Sequence, residues 1–178
     1  MARKRVLEQY NGRKLEWLHD WVFFAALVAA VFILFRFIIG TSVVSGDSML
    51  PSLQDGNLVV YTRIVPEYRP GDVISVRVPS GDYYVKRVIA VGGDEVDLVG
   101  GRVYVNGEML EEPWADGETL EETGSVIYPY TVREGNVFVL GDNRSVSMDS
   151  RAFGEVNRRQ IKGKILIAAG SGGIRKIR

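Results

Sequence analysis

The chain is expected to fold as a mainly β domain, built on antiparallel sheet and preceded by one N-terminal transmembrane helix. Three observations predict this. An apolar run from Trp21 to Ile39 is broken only by Arg36; β-rich runs separated by turn residues follow from Leu58 onward; and no stretch after residue 40 carries a helical period.

The apolar run comes first. As a helix its 19 residues reach about 28 Å, close to the roughly 30 Å thickness of bilayer hydrocarbon. Arg36 lies near the far end, where its stem can snorkel to the headgroups, and Trp17 and Trp21 suit the near interface. Arg3, Lys4, Arg5, Arg13 and Lys14 precede the run, whereas the next cation after Arg36 is Arg63. That asymmetry predicts a cytoplasmic N-terminus and an extracytoplasmic domain. A cleaved secretory signal is the alternative, but the run is longer than a usual signal core and no clear small-x-small site follows it closely. Residues 1–40 are thus expected to form the cytoplasmic N-terminus and anchor of a single-pass cell-membrane protein. Residues 41–178 are then the size of one ordinary domain.

The expected strands are Leu58–Tyr61, Val73–Val78, Tyr83–Val91, Glu95–Val99, Arg102–Val105, Val126–Val132, Val137–Leu140 and Ile165–Ala168. Gly71-Asp72, Gly81-Asp82, Gly92-Gly93-Asp94, Gly100-Gly101 and Asn106-Gly107 punctuate them, and such close spacing implies antiparallel hairpins. About 94–134 forms an inserted hairpin and loop region. Within it, residues 108–122 carry seven acids and no cation, and read most simply as a solvated loop. The tail from Gly170 to Arg178 reads as flexible, with cations that could touch anionic headgroups.

Net charge is zero, and the part after Gly40 has three more acids than cations, so nothing favours nucleic acid. The absence of cysteine excludes a thiol nucleophile. Ser48, eight positions past Gly40, is a possible nucleophile at a membrane surface. The only histidine, His19, precedes the apolar run, which excludes a Ser-His-Asp triad if the two lie on opposite sides of the bilayer. Lysine is the known substitute base when burial removes its charge, and Lys86 is the best placed. Strand alternation groups it with Tyr84, Val88 and Ala90, and groups Arg87 with Tyr83, Val85 and Ile89. The alternative for Lys86 is an edge-strand lysine pointing to water, and for Ser48 a loop cap. Gly141 to Gly154 is too rich in polar groups for an ordinary strand, and Asp149 with Arg151 could form an ion pair that fixes its shape.

Four segments taken together are more specific than any one. Ser45-Gly46-Asp47-Ser48-Met49-Leu50-Pro51-Ser52-Leu53, Arg69-Pro70-Gly71-Asp72-Val73, Tyr84-Val85-Lys86-Arg87-Val88-Ile89 and Gly141 to Gly154 resemble, in order, the motifs of type I signal peptidases. The single N-terminal span is most similar to the Gram-positive form. The resemblance implies an antiparallel catalytic domain of the signal peptidase type. It also implies Ser48 as nucleophile, Lys86 as general base and Ser147 as the hydroxyl that orients the lysine. Asp149, Arg151 and Arg87 would form the supporting polar shell, and the Ser48 N–H part of the oxyanion hole. Some relatives place a second oxyanion serine where this chain has Gly46, whose side chain cannot donate. The family's Gly-x-Pro-Gly-Asp turn stands here as Ala90-Val91-Gly92-Gly93-Asp94.

The expected activity is a membrane-bound serine endopeptidase with a Ser-Lys dyad that removes signal peptides from secretory preproteins, after small residues at −1 and −3. Membrane lipid is an expected partner, with Met49 and Leu50 either dipping into the membrane surface or buried in protein. No cofactor, metal or nucleic acid is called for. Two other readings are a self-cleaving Ser-Lys repressor, which the apolar span and the lack of a helix-turn-helix pattern argue against, and a non-catalytic pilus assembly factor of signal-peptidase-like sequence.

Overall fold

The structure is a computed structural model that describes residues 2–78, 81–122 and 126–177, with side chains of residue 17 and from residue 19 onward. It divides into two compact units, Met1–Ile39 and Gly40–Arg178. The first is helix α1, Ala2–Ile33, continued by a π-helical turn at Leu34–Ile38. His19–Ile38 is long and apolar enough to cross a bilayer, at a mean hydropathy of 2.5, and its large apolar side chains from Trp21 to Phe37 are exposed. Trp17, Trp21 and Phe24 stack edge to face along it. The cations expected to orient it lie among the residues whose side chains are not described.

Among the described residues twelve strands follow, and all but the first residue of the first strand lie in the second unit. They are β1 Ile39–Val43, β2 Leu58–Thr62, β3 Val73–Arg77, β4 Tyr83–Val91, β5 Glu95–Val99, β6 Arg102–Val105, β7 Glu108–Met109, β8 Tyr130–Thr131, β9 Asn136–Leu140, β10 Val156–Asn157, β11 Ile161–Gly170 and β12 Gly173–Lys176. The main sheet runs β1-β2-β11-β3-β4-β9-β10, and β12 adds to β11; a four-stranded sheet runs β7-β6-β5-β8. The registered pairs from β2 onward are antiparallel.

Strand β11 holds the main sheet together because β2 pairs with it from Lys164 to Ala169, β3 from Ile161 to Lys164 and β12 from Ile167 to Gly170. Its register shifts against β3 between Ile161 and Gly163 and against β2 between Ile165 and Ile167, irregularities that bend a strand locally. At Gly163 a Cβ would stand 2.4 Å from the Thr62 carbonyl oxygen, so only glycine allows that approach. Three apolar clusters fill the unit: one around Met49, Leu53, Tyr61 and Ile165, one around Ile74, Val76, Val88 and Val139, and one around Ile89, Val96, Phe138 and Leu140. Lys86 and Arg87 therefore lie on a strand walled by apolar side chains.

Several expectations need correction. The strand expected at Val126–Val132 shrinks to β8, since Pro129 has no N–H to give a ladder. The tail is ordered as far as Ile177: β12 pairs with β11, Ile177 N–H donates to the Leu166 carbonyl and the Ile177 side chain is buried. A four-residue helix, α2, Ser150–Phe153, follows Asp149, whose carboxylate accepts from the Arg151 N–H as its N-cap. Strict alternation along β4 fails because the register shifts between Val88 and Ala90. Val88 joins the second cluster and Ala90 the third, so Lys86 does not share a face with Ala90.

Candidate active site

Ser48 sits in a loop closed at its base. The Val44 N–H donates to the Asn57 carbonyl at 2.9 Å, the Gly56 N–H returns to the Val44 carbonyl, and the Gly46 N–H donates to Asp55 Oδ1 at 2.9 Å. Gly46 has φ +87°, a conformation that glycine adopts without the Cβ penalty. Met49 and Leu53 are buried in the first cluster and anchor the loop like two pins. Met49 therefore belongs to the protein core and not to a lipid surface; Leu50 is half-buried.

A second loop fixes the other side of Ser48. The Asn143 N–H donates to the Ser48 carbonyl at 3.1 Å and Asn143 Nδ2 to the Asp47 carbonyl at 3.3 Å. Gly141 makes this docking possible, because a Cβ there would meet Ser147 Oγ at 2.1 Å and the Ser48 carbonyl oxygen at 2.6 Å.

Strand β4 delivers Lys86 to the same point. Its Nζ lies 2.7 Å from Ser48 Oγ and 5.4 Å from the Tyr84 ring centroid, and the residue is 2% exposed. Burial disfavours the ammonium and lowers its pKa to about 8, against the opposing pull of Asp149 and Asp142. The water-facing alternative for Lys86 is thereby removed. Ser48 and Lys86 lie in a cleft of about 280 Å³ whose other walls include Ser42–Met49, Ser75, Tyr83–Val85, Val146 and Met148.

Arg87, the next residue, faces the other way and ties the four sequence segments together. Its Nε and Nη2 each reach an Asp142 oxygen at 2.8 Å, Nη1 donates to the Gly71 carbonyl at 2.9 Å, and Nη2 also reaches Ser52 Oγ at 3.2 Å. Trp114 covers the guanidinium at 4.6 Å. The expected Asp149–Arg151 pair is present: Arg151 Nε and Nη2 donate to the carboxylate at 2.9 and 3.0 Å, and Asp149 Oδ2 accepts the Gly141 N–H at 3.0 Å. Arg151 Nη2 also donates to the Arg144 and Ser147 carbonyls. This network sets the shape of the 141–154 loop.

The hydrogen bond expected between Ser147 and Lys86 is not present. Ser147 Oγ is buried and has no hydrogen-bond partner among the described residues; it stands against Gly141, at the same point where the Ser48 carbonyl approaches that glycine. Three contributors escaped the sequence reading. Asp142 is the partner of Arg87, and its polar segment was its only signal. Arg144, 2% exposed, donates to the Gly141 carbonyl, to Glu112 through both terminal nitrogens and to Thr119 Oγ1. The sequence predicts a solvated acidic loop around Glu112. Instead, Glu112 is pinned by Arg144, Thr119 is buried, and the Asp116 N–H bonds the Asp142 carbonyl at 2.8 Å. An alternation-free acidic stretch gives no hint that one of its carboxylates turns inward.

The chain is similar to characterised peptidases over most of its length. The model of the family described as signal peptidase, peptidase S26 matches residues 14–169. Signal peptidase IB of Staphylococcus aureus is 34% identical over 168 residues, covering 85% of this chain and 86% of that protein. Signal peptidase I of Bacillus caldolyticus is 38% identical over 175 residues, covering 89% and 90%. A crystal structure of a signal peptidase I from Enterococcus faecalis V583 is 33% identical, with a TM-score of 0.46 over 57% of this chain and 98% of that one. On the family-model match and the two sequence relatives, the chain belongs to the signal peptidase family, peptidase S26.

Proposed function

We propose that this protein is a membrane-anchored endopeptidase that removes signal peptides by acyl transfer through Ser48 with Lys86 as the general base. The observation that carries the reading is the 2.7 Å contact between Lys86 Nζ and Ser48 Oγ, made by an amine whose burial brings its pKa to about 8. Neutral Lys86 accepts the Ser48 proton as Oγ attacks the scissile carbonyl. The developing oxyanion takes a hydrogen bond from the Ser48 N–H. The Lys86 ammonium then gives its proton to the leaving amine of the mature chain, and an ester on Ser48 remains. Water attacks that ester with Lys86 again as base, which releases the signal peptide and restores the serine.

The substrate lies extended along the cleft in this reading. Among the described residues β9 pairs with β4 from Arg87 to Val91, while Tyr83–Lys86 pair with β3 on one side and no strand on the other. That unpaired edge can add a peptide strand ending at Ser48, and alternate side chains of the peptide, at −1 and −3, turn into a cleft with room for small groups. Lipid is the second partner. Leu58 and Ile174 both register against Ala169, Ile167 registers against Lys176, and the three apolar side chains are exposed. This apolar face with its adjacent cation suits an anionic membrane surface, with the N-terminus of the chain cytoplasmic.

The acyl-enzyme is the species to look for. Acid quenching of the enzyme during turnover of a preprotein, followed by intact-mass analysis, is expected to show a signal-peptide adduct on Ser48. An adduct that persists in Ser48→Ala, or cleavage with no adduct and no effect of that substitution, would remove the proposed chemistry.

A further inference from the structure

Asn143 brackets Ser48 from both sides. Its backbone N–H donates to the Ser48 carbonyl at 3.1 Å, and its side-chain Nδ2 donates to the Asp47 carbonyl at 3.3 Å. The second bond bears on the chemistry because the Asp47 carbonyl and the Ser48 N–H belong to one peptide group. That peptide bond is trans, so its carbonyl and its N–H point in opposite directions from a plane that turns as one body. Whatever fixes the Asp47 carbonyl therefore also aims the Ser48 N–H. Nδ2 itself is on the side away from the oxyanion and does not donate to it. The Ser48 N–H has no acceptor among the described residues, which leaves it open to the substrate.

The bond from Asn143 is not demanded by burial. Residues 45–47 are exposed, so water can satisfy the Asp47 carbonyl, and what Nδ2 supplies is direction. That direction is itself built. Ser145 Oγ donates to Asn143 Oδ1 at 3.0 Å, which settles which end of the amide accepts and turns the donor end to Asp47. The acidic segment holds the backbone on either side: the Asp116 N–H donates to the Asp142 carbonyl at 2.8 Å and the Arg144 N–H to the Asp116 carbonyl at 2.9 Å, a bridge that pairs Asp116 with Asn143. Gly46 offers the oxyanion no side-chain donor, so the aim of the Ser48 N–H counts for more.

We propose that Asn143 is a positioning residue for the reaction: its amide holds the Asp47–Ser48 peptide group so that the Ser48 N–H points at the developing oxyanion. A hydrogen bond accepted by the carbonyl also polarises that peptide group and strengthens its N–H as a donor. The effect is confined to the transition states, where the oxyanion carries charge, and leaves substrate binding unchanged. The inference rests on the peptidase reading, in which Ser48 attacks a carbonyl.

The test compares the full-length wild type with Asn143→Ala, Asn143→Asp and Ser145→Ala proteins in lipid vesicles. Aspartate keeps the size of the side chain but presents an oxygen where the donor was. For a preprotein-derived peptide, kcat is expected to fall about tenfold to a hundredfold in both Asn143 variants with KM unchanged, less than the roughly 10²- to 10³-fold cost of removing an oxyanion donor outright. Ser145→Ala is expected to lose less, in the same direction, and the pH profile to keep its shape because Lys86 is untouched. A labelled peptide aldehyde reads the same geometry without turnover: Ser48 Oγ bonds its carbonyl carbon, the carbonyl electron pair moves to oxygen and the serine proton passes to Lys86. Aldehyde affinity, by fluorescence anisotropy, is expected to weaken by the same factor as kcat. Affinity for the matching peptide alcohol, which forms no adduct, is expected to stay the same and measures folding. Unchanged kcat and unchanged aldehyde-over-alcohol preference in all three variants would overturn the proposal, and so would aldehyde and alcohol affinities that fall together; the peptidase reading stands in either case if the wild type cleaves. An aldehyde preference that depends on Asn143 in a wild type that cleaves no peptide supports the positioning role and counts against the peptidase reading alone. No aldehyde preference in the wild type removes both.

Discussion

Lys86 holds two opposed requirements in one side chain. To act as a base it must be neutral near physiological pH, and the cost of that is borne by the fold. Its pKa in the folded protein, about 8, lies below the 10.5 of the free side chain. Below pH 8 both folded and unfolded chains bind the proton, and the folded state carries the charge penalty in full. Between pH 8 and 10.5 the unfolded chain binds more protons, so stability rises with pH through that window. The difference is about 3 kcal/mol by the free energy of a pKa shift. Lys86→Met is accordingly expected to be inactive yet more stable than wild type at pH 7, by up to that amount, with the gap closing by pH 10.5. Urea denaturation in detergent at the two pH values checks it, and a variant less stable at pH 7 would show that Lys86 is not penalised by burial. The same titration predicts that kcat/KM rises with pH up to about 8 and then levels; a flat profile from pH 5 to 9 would sink the assignment of Lys86 as base.

At the scale of elements, the site is a meeting of loops held by buried guanidinium groups. Arg87 joins β4 to the Gly71 turn, the Ser48 loop and Asp142. Removing Asp142 leaves a buried cation unpaired, so Asp142→Asn is expected to cost about 3 to 5 kcal/mol, read by thermal denaturation. Loss of under 1 kcal/mol would mean that Arg87 finds water instead. Arg144 does the same for the acidic segment. In Arg144→Ala the Asp116 and Thr119 amides are expected to lose hydrogen-exchange protection while β4 keeps it, and unchanged protection at both would show that the segment holds itself.

How far the sequence showed these elements depends on the range of the forces involved. Tyr83–Val91, Glu95–Val99 and Arg102–Val105 were legible residue for residue, because apolar alternation and flanking turn glycines are local signals. β10 and β12 were not, since two- and four-residue strands gain their stability from a distant partner rather than from their own pattern. Ser48 and Lys86 were legible through ordered motifs together with the want of a usable histidine or cysteine. The inward turn of Glu112 was not, because a pair 32 residues apart leaves no periodicity. The silent hydroxyl of Ser147 differs again: its position in the motif was readable, but its close approach to Gly141 depends on how the loop folds.

At the scale of the whole molecule, one apolar helix long enough to cross a bilayer precedes a domain that carries the site. Anchoring would keep the Ser48 cleft near the membrane from which signal peptides emerge. The chain has no cysteine, so single cysteines report topology without background. Glu8→Cys is expected to resist a membrane-impermeant maleimide in intact cells, and Ile127→Cys, 88% exposed, to react. The opposite pattern would reverse the proposed orientation. The most direct measurement is mass spectrometry of a purified preprotein incubated in lipid vesicles with the wild-type, Ser48→Ala and Lys86→Ala proteins. The account predicts a single cut after a small-x-small site by wild type and none by either variant. Cleavage by folded Ser48→Ala or Lys86→Ala protein at the wild-type rate, or none by folded wild type across several preproteins, would contradict it.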